Sequence, residues 1–310
     1  MIESGTHIPV LLEETVSQLL TNPDGIYLDG TIGYGGHAEA ILEKLTPKGK
    51  LIGIDLDSYA LECTQKRLSS TQASYSLHHE NFREYPNLLK KLGIEKLTGI
   101  LFDLGSSSSQ INTGHRGFSF QSDALLDMRF NPGEGISACE YLNSSDANEI
   151  GTTIYQYGEE RQYYKIAHKI YEAAKQGKMN TTFELKQAVE SVVNPRFLTK
   201  SLSRVFQAVR IKINDELGAL QQALAASSKC LKSGGRIAVI SFHSLEDRIV
   251  KRFFLSSAKS CVCPKEYPVC LCDTIPTLKI LTRKALLPGE SEKQNNSRSR
   301  SAKLRVAERV

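Results

Sequence analysis

Three aspartates, Asp29, Asp55 and Asp103, each sit near the end of an apolar run, in "GIYLDG", "KLIGIDLD" and "LTGILFDLG". After the first comes a turn crowded with Gly30, Gly33, Gly35 and Gly36. Such a turn lets backbone N–H groups approach a ligand without interference from Cβ atoms. A carboxylate roughly 20 residues further on can accept hydrogen bonds from both hydroxyls of a ribose. Asp55 holds that place, so the pair predicts an adenosine-type cofactor, NAD or S-adenosylmethionine. Two features favour S-adenosylmethionine. The glycine spacing departs from the G-x-G-x-x-G that a pyrophosphate demands, and acid-rich strand ends suit a sulfonium and an α-amino group better than a diphosphate. Asp29, at the turn itself, is placed to anchor the glycine loop or a water near the methionine amine.

The elements that must carry these residues alternate. "GIYLDG", "KLIGIDLD", "SYSLHH" and "LTGILFDLG" read as strands, the last mostly apolar and therefore central. Between them "HAEAILEKL", "SYALECTQKRL" (capped by Ser58) and "EYPNLLKKLG" (past its proline) read as helices. The rhythm predicts an α/β fold with a parallel sheet and right-handed crossovers, and places the three acids at the ligand-binding strand ends. From about Gln110 to Arg210 no strand pattern is visible, and the segment is helical, polar and tyrosine-rich. It reads as an inserted helical domain, 110–210, within a discontinuous domain of 1–109 and 211–310. The sheet resumes at "GGRIAVISFHS", led in by the helix "INDELGALQQALAASSKCL" and followed by the helix "LEDRIVKRFF". "TLKILTRK" and "SAKLRVAER" read as final strands around a polar loop, "GESEKQNNSRSRS".

The chain of 310 residues is long enough for more than one domain. "MIESGTH" lacks the pattern of a signal peptide, and no apolar run approaches the roughly 18 residues of a membrane span. A cytoplasmic protein is expected, with no membrane partner. The net charge of +5 is modest, but Arg161, Lys165, Lys169, Lys175, Lys178, Arg196, Lys200 and Arg204 recur through the insertion. Lys293, Arg298, Arg300, Lys303 and Arg305 add to the C-terminal segment, where acids are sparse. Such groups contact phosphates and position a nucleic acid without reading its sequence. Cys261, Cys263, Cys270 and Cys272, in "CVCPKEYPVCLC", form two C-x-C pairs around a proline-bounded turn. Four thiolates so spaced can surround zinc; unligated thiols or a redox pair are the alternatives. The insertion's tyrosines permit a homodimer interface.

The motifs "HIPVLLEE", "YLDGTIGYGGH", "IGIDLD", "DLGSSSSQ", "RGFSF", "DMRF", "YGEER", "FQAVRI", "ISFHSLEDRIVKRFF" and "SRSAKLRVAER" occur in one order from His7 onward. In this the chain resembles the ribosomal RNA small subunit methyltransferase H family. Members are bacterial enzymes that methylate N4 of a cytidine in the decoding region of 16S rRNA. The resemblance implies a class I S-adenosylmethionine-dependent methyltransferase fold, Rossmann-like, with a helical insertion. It also implies a cofactor held by Gly35, Gly36, His37, Asp55, Phe82, Asp103 and Gln110, and the small ribosomal subunit or its 16S rRNA as partner. One departure stands out: where the family commonly carries a Val and a Pro in D-L-G-x-S-S-x-Q, this chain has Ser106 and Ser109.

Methyl transfer onto an exocyclic cytosine amine needs a hydrogen-bond acceptor on the N–H and an exit for the proton. The Asp/Asn-Pro-Pro-aromatic motif of many amino-methyltransferases is missing after the fourth strand, which reads "DLGSSSS". The candidates for catalysis are Asp103, and His243 with Ser241; His243 alternatively caps the helix that follows it. His7 is placed to close the pocket. Arg116, Phe118 and Phe120 of "RGFSF" suit a splayed base, or alternatively seat the insertion. Arg298 and Arg300 are the candidate RNA contacts of the tail. Two competing readings are a non-catalytic RNA-binding assembly factor and an NAD-dependent oxidoreductase.

Overall fold

Strict alternation along the central strands divides the apolar side chains between the two faces of one sheet. The computed structural model describes residues 9–105, 116–261, 263 and 272–310. The chain falls into two units, Met1–Gly105 with Leu217–Val310, and Ser106–Glu216. The first unit carries strands β1 (Ile26–Asp29), β2 (Lys50–Asp55), β3 (Ser74–His79), β4 (Leu97–Asp103), β5 (Leu231–Ser241), β6 (Leu278–Ile280) and β7 (Lys303–Arg309). They form a seven-stranded sheet in the order β3-β2-β1-β4-β5-β7-β6. The first five pair in parallel, while β7 runs antiparallel between β5 and β6.

Helices α1 (Leu12–Leu19), α2 (Gly36–Leu42), α3 (Ser58–Arg67) and α4 (Tyr85–Lys91) belong to this unit. Past the insertion come α10 (Glu216–Cys230), α11 (Ser244–Ser257) and α12 (Glu290–Asn295). Leu28, Ile100, Phe102 and Val239 pack on one face with Tyr85, Leu88, Leu224 and Phe254. Tyr27, Leu101, Ala238 and Ile240 pack on the other with Val16, Leu19, Ala38 and Ile41. A sheet wound on both sides follows, with β4, buried from Leu97 to Phe102, at its centre.

Three local expectations are corrected. The cap of α3 is Asp57, not Ser58, because its carboxylate accepts from the Tyr59 amide at 3.1 Å. Helix α4 starts before its proline: Pro86 sits in the first turn, where its missing N–H costs nothing. The polar stretch after β6 is not a loop but α12 and a 3-10 turn, Ser297–Ser301. The helix is fixed from outside, since Glu292 Oε1 accepts from the Leu11 amide at 2.9 Å.

The second unit holds α5 (Ala138–Ser144), α6 (Ala147–Gly158), α7 (Tyr163–Lys175), α8 (Thr182–Glu190) and α9 (Leu198–Asn214). Capping boxes of Ser137 with Glu140 and Thr181 with Glu184 start two of them, and Asp146 caps a third. Ile150, Ile154, Ile166, Ile170, Leu185, Val205 and Val209 fill its core. Among its described residues no strand forms, only a single bridge between Leu125 and Thr181. Helix α9 runs unbroken through Arg210 and ends at Asp215, held left-handed at φ 47°. No helix among the described residues is long and apolar enough to cross a membrane.

Gly30 shows how closely the sheet end is packed. A Cβ there would stand 2.5 Å from Cε1 of the Phe102 ring, which is fully buried. Gly30→Ala is expected to lower the unfolding free energy by about 1–3 kcal/mol through overpacking. Urea denaturation checks this, and an unchanged midpoint would refute the packing account.

Candidate active site

The strand order reverses between β1 and β4, so a crevice opens beyond their C-terminal ends. Asp29 pairs in register with Leu101, which puts Asp103 two residues further along the neighbouring strand. On the other side, β2 carries Asp55 past the level of Asp29, which pairs with Gly53. Three carboxylates thus line one crevice. Asp29 is 1% exposed and accepts from the Thr31 amide at 3.2 Å. Burial pushes its carboxyl up to about 7, against the pull of the Thr31 amide and with help from the Asp55 charge. Asp55 accepts from the amides of Gly33 and Asp57, both at 2.8 Å. Burial still raises it to about 6. Asp103 is raised well above the ordinary range, first by burial, then by Asp29 and by Glu246. Its Oδ1 is buried without a hydrogen-bond partner among the described residues. Its amide donates to Thr31 Oγ1 at 2.6 Å, which clips the ends of β1 and β4 together.

The glycine turn serves these acids. Gly33, at φ 50°, presents its amide to Asp55, and its carbonyl accepts from Thr64 Oγ1 at 2.6 Å. Gly35 sits at φ 75°, and a Cβ there would meet Thr64 Cγ2 at 2.9 Å. Its amide donates to Ile32 O at 2.8 Å, inside the turn. At Gly36 the missing side chain makes room for protein, since a Cβ would lie 2.3 Å from Pro9 Cγ. The next two residues continue this cover. Val10 O lies 3.1 Å from His37 Nε2, and Leu11 is held left-handed at φ 54°, a conformation costly for a branched residue. The Val10 carbonyl fixes a hydrogen on Nε2. His37 Nδ1 then faces Asp103 Oδ2 at 3.5 Å, a contact that needs one more proton on one group or the other. Phe82 stands half-buried in a 3-10 turn after β3, its ring 5.3 Å from that of Phe102.

At the end of β5, Ser241 is buried and donates to Lys303 O at 3.4 Å. His243 is the N-cap of α11: its Nδ1 accepts from the Glu246 amide at 3.4 Å. A neutral ring so placed carries its hydrogen on Nε2, 3.2 Å from Glu246 Oε1. That approach does not have hydrogen-bond geometry, and Nε2 is buried without a hydrogen-bond partner among the described residues. Glu246, 2% exposed, also accepts from Phe242 N at 2.8 Å. Sequence reasoning missed Glu246 and Thr31. The first had a signal in H-x-x-E at a strand-to-helix junction, which follows the spacing of a capping box.

Other expected site residues lie elsewhere. Gln110, His7 and Cys270 fall outside the described residues. Within the helical unit, Arg116 Nη2 donates to the carbonyls of Arg129 and Phe130 at 2.9 and 2.7 Å. Phe118 stacks on Phe130 and Phe120 meets Phe206 edge-on, both against that unit's own core. In the tail, Lys303 and Arg305 both pair with Asp247, at 3.0 and 2.6 Å, Lys303 remaining partly exposed. Arg300 is exposed and Arg298 half-buried. Arg161, Lys165, Lys175, Lys178, Arg196 and Lys200 are exposed on the helical unit, whereas Arg204 pairs with buried Glu160. Tyr155 and Tyr164 are exposed there too.

The strand order, the antiparallel β7 and the acid-lined switch point define the Rossmann-like fold of class I methyltransferases. The chain belongs to the MraW methylase family, which it matches over residues 4–310. It is 47% identical over 305 residues to a protein of Caldicellulosiruptor bescii named ribosomal RNA small subunit methyltransferase H, covering 98% of this chain and 99% of that one. Proteins of the same name from Heliobacterium mobile and Trichlorobacter lovleyi are 45% and 44% identical, over 98% and 100% of this chain and 99% and 100% of theirs. A solved rRNA methylase structure from Streptococcus thermophilus aligns over 100% of this chain and 99% of its own at 12% identity and a TM-score of 0.44, too faint a likeness to carry weight.

The raised carboxyls predict a pH signature. An unfolded Asp29 loses its proton near pH 4, whereas the folded one holds it to about 7. Ionisation therefore opposes folding: the cost is absent below about pH 4, grows as pH rises and is complete above about 7. Asp29→Asn keeps an acceptor for the Thr31 amide and removes the charge. Without added cofactor it should unfold at higher urea at pH 8, by on the order of a few kcal/mol, and converge with wild type near pH 4. Equal stabilities at pH 8 would sink this account.

Proposed function

We propose that the protein transfers a methyl group from S-adenosylmethionine to N4 of a cytidine in the decoding region of 16S rRNA, with the small ribosomal subunit as substrate. Family membership and the names of the relatives support rRNA methylation; the atom and the nucleotide rest on the family resemblance. The observation that carries the chemistry is Asp103, a partly exposed side chain at the switch point whose Oδ1 is buried without a hydrogen-bond partner among the described residues.

The residues present fit the cofactor. Asp55 keeps lone pairs for the ribose hydroxyls beyond the two amides it already accepts. A cationic sulfonium or α-amino group bound beside Asp29 and Asp103 would favour the ionised form of these raised carboxyls. Phe82 offers a half-exposed ring to the adenine face. When bound, S-adenosylmethionine supplies a methyl group on a good leaving group, so that the protein's task is placement. Asp103 accepts a hydrogen bond from the cytosine amine, which localises its lone pair. The methylated amine must shed one proton, and Asp103, once ionised beside the bound cation, would take it. His37 Nδ1, 3.5 Å away, shares the proton of that carboxyl. His243 and Ser241 position the β5 end rather than move the proton. The exposed bases of the helical unit and the tail contact phosphates.

Labelled S-adenosylmethionine with undermodified 30S subunits and with naked 16S rRNA is the direct test; transfer to neither ends the proposal. Asp103→Asn should reduce turnover by about 10²- to 10⁴-fold, with cofactor affinity measured separately by calorimetry. His243→Ala should cost about 1 kcal/mol of stability as a lost cap and leave turnover within about tenfold. The reverse pattern would exchange their roles. Arg298→Gln with Arg300→Gln should weaken 30S binding and flatten its log–log salt dependence by up to about two units. An unchanged slope would remove the tail from the RNA surface.

A further inference from the structure

The crevice makes no use of the thiols that follow α11. Cys261, Cys263 and Cys272 bring their Sγ atoms within 4.8 Å of one another. None of the three is disulfide-bonded. Cys261 and Cys272, eleven residues apart in sequence, stand with their sulfurs 3.6 Å apart. Four thiolates at Zn–S distances of about 2.3 Å in a tetrahedron have their sulfurs about 3.8 Å apart. The observed separation is that of a tetrahedral edge. The Cys263 amide points at Cys261 Sγ from 3.4 Å, the kind of N–H to sulfur contact that spreads the charge of a metal-bound thiolate.

We propose that Cys261, Cys263 and Cys272 bind a structural zinc ion. The donor set is sulfur only and half-buried to exposed, which suits zinc over the oxygen-seeking cations. The place also gives the metal a task. Cys261 follows the end of α11 at Ser257, and Cys272 precedes β6, which begins at Leu278. Thr277 N donates to Ser257 O at 2.8 Å, so the excursion between them is already closed at its base. Zinc ties the two arms of that excursion a second time, just beyond the base, where no apolar core is available among the described residues. The sequence supplies one further thiol, Cys270, outside the described residues. Binding releases the thiol protons, and no redox step is involved.

The test uses the full chain, expressed with zinc and purified under reductant, with zinc, iron and copper measured by mass spectrometry. Wild type should carry about one zinc per chain. Cys261→Ser and Cys272→Ser should each lower that content by about tenfold, while Cys63→Ser, on α3, leaves it unchanged. Because a serine variant can lose zinc by misfolding, wild type is also stripped with chelator and titrated with Co(II). A thiolate-to-cobalt charge-transfer absorption that saturates at about one equivalent and is abolished by added Zn(II) supports the site. Wild type that carries no zinc and gives no such absorption overturns it. So does a zinc content that survives both serine substitutions, iron or copper as the resident metal, or a Cys261–Cys272 disulfide that persists in reductant.

Discussion

Holding three partly desolvated carboxyls, Asp29 fully buried, on adjacent strand ends is the constraint around which the first unit is built. Each must be held by a neighbour that would otherwise serve the fold differently. The Gly33 amide leaves the turn to reach Asp55, Thr31 bridges two strands at the Asp103 amide, and Thr64 holds the turn from α3. Burial still raises all three, helped by the Asp55 charge at Asp29, by Asp57 at Asp55, and by Asp29 and Glu246 at Asp103. The crevice is therefore charged with unmet demand for protons or cations. That demand is an asset only to a protein that binds a cationic ligand there, so the energetic weakness of the site and its use have one cause.

Much of this was legible in the sequence because it is local. An apolar run that ends in Asp before a glycine turn identifies a strand end without any tertiary knowledge, and β1, β2 and β4 all carry that signature. Helices with apolar residues on one side, such as α2, declared themselves in the same way. What was not legible depended on partners far along the chain. The stretch containing α12 has no apolar periodicity and reads as loop. It is helical because Glu292 bonds Leu11 from 281 residues away. Arg305 and Lys303 read as a basic tail until Asp247 is seen between them. His243 reads as a catalyst or a cap with equal ease, and only the position of the Glu246 amide shows its Nδ1 capping the helix.

The segment Pro9–Leu11 shows a further limit of pattern reading. Pattern reading gave a role only to the preceding His7, which lies outside the described residues, whereas Pro9–Leu11 act on the glycine turn from behind. Pro9 fills the space that Gly36 leaves, the Val10 carbonyl sets the tautomer of His37, and Leu11 accepts a strained backbone to make the bond to Glu292. Glycine at position 36 is thus required by protein packing. A sequence motif that looks like a ligand cradle here records two constraints at once, and only one of them concerns the ligand.

The position of β7 carries a consequence for how the protein is made. It follows every other strand in the chain, yet it lies between β5 and β6. As the polypeptide leaves the ribosome, the helical unit emerges whole and can close its own core while β5 is still unsynthesised. The sheet cannot finish in that way. Until β7 arrives, β5 presents a bare edge and β6 has no strand to pair with, so the nascent enzyme is exposed to strand-pairing errors until β7 has been made.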